Sequence, residues 1–143
     1  MDKKEVVLAA LAASGGAEHT PVQVQKLFFV IDREIPQLVG GPFFNFVAYD
    51  YGPFDSDVYN VLKQLEGDGD AQILYCCPSG FRRYKLTAQG QKKGYNFLQA
   101  LDKKASEYIS ALSDKIRKLS FAELVSAIYK AYPEMKANSV FRN

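Results

Sequence analysis

A mostly helical α+β fold, with the element order of a winged helix-turn-helix and additional C-terminal helices, is predicted from three observations. Three segments with helical apolar spacing come first; two β-rich runs around Pro78, Ser79 and Gly80 follow; and the second run leads directly into another helical segment. At 143 residues the chain is long enough to bury a real core and too short to divide comfortably. Residues 1–143 are therefore taken as a single domain, with 1–87 as the winged-helix core and 88–143 as the C-terminal helices.

The first helix spans Asp2 to Ala13, with Val7, Leu8 and Leu11 on one face, and stops at Ser14, Gly15 and Gly16. Thr20 and Pro21 form a cap and first-turn pair for the second, where Val24, Leu27, Phe28 and Ile31 recur at helical spacing; it ends before Pro36. After a loop at Gly40, Gly41 and Pro42, the aromatic-dense run from Phe44 to Tyr51 suits a short strand that Gly52 ends. Pro53 is expected to open a third helix with Phe54, Val58, Val61, Leu62 and Leu65 as its buried stripe, and 67–70 as its terminating turn. Ala71–Cys77 and Arg82–Thr87 form the hairpin. Thr87 caps a helix to about Leu101, another covers Ala105–Leu119, and Ser120 caps one through Tyr132 that Pro133 ends.

Composition narrows the class. Hydrophobic residues make up 48% and charged residues 24%, the profile of a folded soluble protein. The net charge of +2 hides an asymmetry: residues 1–70 hold 5 Lys/Arg and 11 Asp/Glu, net −6, whereas 71–143 hold 13 and 5, net +8. The two halves must face different partners, or each other. Lys3, Lys4 and the run from Val6 to Ala13 share features with a signal peptide, but the run is short, alanine-heavy and preceded by Glu5. No stretch approaches the roughly 20 apolar residues of a membrane span. Adjacent Cys76 and Cys77 give no disulfide framework, so a cytoplasmic protein with reduced thiols and no membrane partner is expected.

A search for chemistry predicts no enzyme, no catalytic residue, no metal and no cofactor. The single histidine, His19, precedes a helix cap with no nucleophile motif or metal-ligand spacing beside it. Glu66, Asp68 and Asp70 resemble a calcium loop but lack its glycine and terminal glutamate, with Ala71 and Cys77 in those places; a solvated turn is expected. Cys76 and Cys77, neighbours on a strand, should point to opposite faces.

Two binding surfaces compete. Arg82, Arg83 and Lys85 on the hairpin's return strand, with Lys92 and Lys93 on the next helix, form a basic patch that could meet nucleic-acid phosphates. Against a DNA reader, the third helix carries Asp55, Asp57 and Glu66 against Lys63 alone, and phosphates would repel its acidic first turn. Aromatic excess favours a protein partner. Phe28, Phe29, Val30 and Ile31 point around most of the second helix, and Phe44, Phe46, Tyr49 and Tyr51 add to them, more than one core face should take. Lys26, Phe29, Tyr49, Tyr51, Phe54 and Tyr59 are the partner-binding candidates. Apolar faces at Phe97, Leu98 and Leu101, and at Tyr108, Ile109, Leu112 and Ile116, need cover from a homodimer or from the chain itself.

The segments Gln25-Lys26-Leu27-Phe28-Phe29, Ala48-Tyr49-Asp50-Tyr51-Gly52-Pro53-Phe54 and Val58-Tyr59 resemble the Panacea-domain, SocA-like antitoxin group of bacterial proteins. The resemblance covers roughly residues 5–70, and Tyr84-Lys85-Leu86-Thr87 with Gly90 resembles the wing-to-helix junction of winged-helix regulators. It implies a small bacterial or phage-borne protein that binds and neutralises a toxin, or delivers a partner to a protease. Lys26, Tyr51, Gly52, Pro53 and Tyr59 are the shared positions, with Gly52 and Pro53 expected to shape the start of the third helix.

Overall fold

Side-chain caps set the helix starts. The computed structural model describes residues 1–76, 78 and 80–141. Asp2 accepts the Glu5 N–H while the Glu5 carboxylate accepts the Asp2 N–H, and the same reciprocal box recurs at Thr20 with Gln23 and at Ser120 with Glu123. Each cap contributes about 1 kcal/mol and fixes where its helix begins. They open α1 (Lys3–Ala12), α2 (Pro21–Glu34) and the last long helix, α7 (Phe121–Ala131).

Between these lie α3 (Pro36–Val39), β1 (Val47–Tyr49), β2 (Gly52–Phe54), α4 (Ser56–Gly67), β3 (Ala71–Cys76), β4 (Phe81–Leu86), α5 (Ala88–Ala100) and α6 (Lys103–Lys118). A 3-10 turn over Pro133–Lys136 follows α7. The fold is α+β and mostly helical, with two antiparallel hairpins among the described residues. β1 pairs β2 from Val47↔Phe54 to Tyr49↔Gly52, and β3 pairs β4 from Ala71↔Leu86 to Cys76↔Phe81.

Two expectations are corrected. Gly52 and Pro53 do not open a helix: they belong to β2, and α4 starts only at Ser56, capped by Asp55. Gly52 has φ 101°, which lets the chain reverse after Tyr51 and pair back on β1. Nor are 67–70 a wholly solvated turn. Asp70 is buried, accepts from Gln89 at 2.7 Å and pairs with Lys93 at 3.1 Å, because α5 folds back over the turn. The expectation about Cys77, and Ser79 in the hairpin turn, lie outside the described residues.

The core forms around α1, whose residues Val6 to Ala12 are all buried. On one side α5 packs closely, since a Cβ at Gly94 would fall on the Leu8 carbonyl oxygen and 2.7 Å from Ala12 Cβ. The second core helix, α2, meets α3, α4, α6, α7, β2 and β4. Phe28, Phe29, Val30 and Ile31 are accordingly all buried, so the excess of apolar groups on α2 is absorbed within the chain. Leu98, Ile109 and Ile116 are buried too, and Phe97, Leu101 and Leu112 half-buried, so the chain itself covers most of the apolar faces of α5 and α6, with Tyr108 left 37% exposed. No helix among the described residues is long and apolar enough to cross a membrane.

Candidate functional site

The middle of α2, from Val24 to Ile31, is buried, and its first turns border a half-open trough of about 770 Å³. Pro21 to Lys26 form the floor, Tyr49 to Phe54 of the first hairpin and Tyr59 of α4 one wall, Phe81 and Arg83 of β4 another, and Leu119 to Leu124 at the start of α7 the third. Two backbone clamps build it. Gln25 Nε2 donates to the Asp55 carbonyl at 3.0 Å and its Oε1 accepts the Asp55 N–H at 2.9 Å, while Lys26 Nζ donates to the Pro53 carbonyl at 3.2 Å. Consecutive residues of α2 thereby hold both the end of β2 and the start of α4.

The wall is a run of ring contacts. Tyr49 and Phe54 lie 5.2 Å apart between centroids, Phe54 and Tyr59 5.8 Å, and Tyr59 stacks on Tyr84 at 5.9 Å. Burial pushes the Tyr59 hydroxyl up to about 12. Across the trough, Tyr51 meets Phe121 edge-on at 5.1 Å. These rings are only partly used by the fold: Tyr49 is 51% exposed, Tyr51 45%, Phe81 67% and Phe121 46%. Exposed apolar rings gathered on one concave surface are a feature of binding sites, whereas single ones are ordinary.

Five of the six partner-binding candidates therefore meet at one place: Lys26, Tyr49, Tyr51, Phe54 and Tyr59. Phe29 does not. It is 2% exposed and packs against Phe46 and Tyr132, with the Arg33 guanidinium 4.9 Å from its ring centre, because α7 and the following turn cover that side of α2. Sequence reasoning missed Gln25, Phe81 and Phe121. The last had a signal, an aromatic side chain in the first turn of a helix directly after its cap.

Lys26 is buried at 3% exposure, and loss of hydration lowers its ammonium to about 8. Its neighbour across the turn is Gly52, where a Cβ would come 3.2 Å from the Tyr129 ring and 3.6 Å from Lys26 Nζ. Beside the trough, His19 is 1% exposed and its backbone forms an antiparallel bridge with Tyr84. Its Nδ1 faces the Ala17 carbonyl at 3.1 Å, and Nε2 has no partner. Burial first, then the charge of Arg117, holds the imidazole down at about 4 despite the Ala17 contact.

The five basic candidates are not brought together as one patch. Strand alternation sends Arg82 to the face of Tyr84 and Leu86, where its guanidinium lies 5.7 Å from the Tyr75 ring centre, and Arg83 and Lys85 to the other. Arg83 borders the trough, Lys92 is exposed on α5, and Lys93 is engaged with Asp70. The acidic residues of α4 have structural work: Asp55 caps the helix and accepts the Asn45 N–H, Asp57 pairs with Lys3, and Asp68 pairs with Lys4 at 2.9 Å. Among the described residues, no cluster of three or more His, Cys, Asp or Glu side chains is placed to hold a metal ion. A scan against protein-family models finds no match to the chain, and a search of curated proteins finds none either.

Proposed function

We propose that this protein is a non-catalytic, cytoplasmic interaction module that holds a protein partner in the trough between α2, the β1–β2 hairpin and α7, in the manner of an antitoxin. The observation that carries this reading is the convergence of Tyr49, Tyr51, Phe81 and Phe121, each 45% exposed or more, with half-buried Phe54 on one concave surface. The resemblance of its Lys26 and Tyr49–Phe54 segments to SocA-like antitoxins agrees with a protein partner. In this reading α1, α2 and α4, with β3–β4 as the wing, form a winged-helix core whose usual reading helix is occupied by internal ion pairs and caps.

Photo-crosslinking in the native host tests it. A photoreactive residue in place of Tyr49 should give one discrete adduct, and the same residue in place of Tyr95, exposed on α5 away from the trough, should not. Equal adducts from both positions, or none from Tyr49, would remove the trough as the binding surface.

The alternative is a winged-helix regulator that meets DNA through the wing. Its support is the concentration of positive charge in residues 71–143, with Arg83, Lys85 and Lys92 outside the ion pairs of the described residues. A mobility shift on host DNA that persists when Arg82, Arg83 and Lys85 are all changed to alanine rules out that mechanism.

A further inference from the structure

Lys26 places a charge at the floor of an apolar trough without a counter-ion. None of the ion pairs among the described residues involves it, and the neutral Pro53 carbonyl takes one of its three N–H groups, leaving two without a protein acceptor there. Asp70, just as buried, shows what resident compensation looks like in this fold: a lysine and a glutamine amide both reach its carboxylate. A buried charge left uncompensated is costly, and a bound anion removes that cost. The trough also limits how many carboxylates it takes: Arg83 adds a second positive residue to the lining, while the negative charge of Asp50 in the same lining discourages a run of acids.

We propose that the trough receives a linear segment of the partner in which an Asp or Glu side chain, next to a large apolar side chain, reaches down to pair with Lys26. This rests on the reading of the trough as the partner-holding surface and specifies the chemistry of what enters it. Lys26 lines the trough with 3% of the residue exposed, so only a narrow group can reach it, and a side chain enters while the segment's backbone stays between the walls above. The apolar neighbour then lies against Phe54 and the exposed rings of Tyr49 and Phe121, whose area it covers. A nucleic-acid backbone fits poorly, since its phosphates would have to pass those rings to reach the cation. The lowered affinity of the buried Lys26 amine for its proton agrees with a site whose anion is supplied from outside, and a carboxylate in place would restore it.

The test is selection of a display library of random linear 12-residue peptides, with blocked C-termini, on the whole protein. A Tyr49→Ala/Phe121→Ala double variant serves as the counter-target. Peptides enriched on the wild type should share one acidic residue beside a large apolar one. Changing that acid to its amide should weaken binding about thirtyfold or more, the loss expected when one member of a desolvated charge pair is removed. Against Lys26→Met the acid and the amide should bind alike. Lys26→Gln, which can still donate to the Pro53 carbonyl, keeps the comparison open if the methionine variant folds poorly; thermal melts report that directly. If peptides enrich but lack an acid, if only an unblocked C-terminal carboxylate gives binding, or if acid dependence persists in both Lys26 variants, the inference is overturned and the trough reading stands. If nothing enriches on the wild type over the double variant, both fall together.

Discussion

The two ends of α2 carry similar apolar chemistry and meet opposite fates. In the C-terminal half, Phe28 and Phe29 are enclosed by Phe44, Phe46 and Tyr132, with 2% or less of either exposed. At the N-terminal end, the rings gathered over Lys26 are half exposed, although each touches another ring. The difference lies in what covers each end. The loop before β1 is drawn onto the C-terminal end by Asp32, whose carboxylate accepts the Phe43 N–H at 2.9 Å and the Phe44 N–H at 2.8 Å; α7 and the turn after it close the rest. Among the described residues, no element crosses the N-terminal end in the same way. Aromatic density therefore fills the core in one place and lines an open, partly exposed surface in the other, and what packs over each decides which.

The comparison breaks most visibly at Phe29. Phe29→Ala should cost about 3–5 kcal/mol in urea unfolding, the range for emptying an aromatic core site, and would contradict full enclosure if the loss stayed below about 1 kcal/mol.

Acid should act next, at His19 just before the N-terminal end of α2. His19 is held at about 4 against an ordinary value of 6.5, so the unfolded chain binds its proton more readily than the folded one. Its contribution to stability is complete above pH 6.5 and is lost as pH falls from there through about 4, by up to about 3 kcal/mol. Stability of wild type minus His19→Gln, followed from pH 7 to 4, should fall over that interval; a flat difference would show that His19 titrates freely. Asp32, raised mainly by burial, has the opposite sign and belongs to both proteins, so it cancels in the difference.

Gly94→Ala probes the side of the core away from both ends. A methyl group there must push α5 off the Leu8 carbonyl, for a loss of about 1–3 kcal/mol in the same unfolding assay, with no effect on the trough. The smallest change is expected at Tyr49: Tyr49→Ala should stay within about 0.5–1 kcal/mol of wild type in the same unfolding assay, since exposed rings add little to folding. A loss as large as that of Phe29→Ala would make the trough wall part of the core.

Much of this was legible before folding because caps and periodicity are local. Thr20-Pro21, Thr87 and Ser120 place helix starts through bonds to residues three positions away, and the alternation in 71–76 and 81–86 calls for a hairpin whatever surrounds it. The Gly52-Pro53 pair misled for the same reason: Pro is at home in a first helical turn and equally at home in an edge strand, and only pairing with Ala48 selects the second.

Sequence alone determined a mostly helical α+β fold with a hairpin over 71–86, the candidates around Tyr49 to Tyr59, and the charge imbalance between the halves. Tertiary structure decided what those features mean, because burial depends on residues far away in the chain. It hid Phe29 beneath Tyr132, gave Asp70 a lysine 23 positions on, and brought Phe81 and Phe121 opposite Tyr49. It also set Lys26 at the floor of an apolar trough with only a carbonyl for company, which no local pattern of residues could announce.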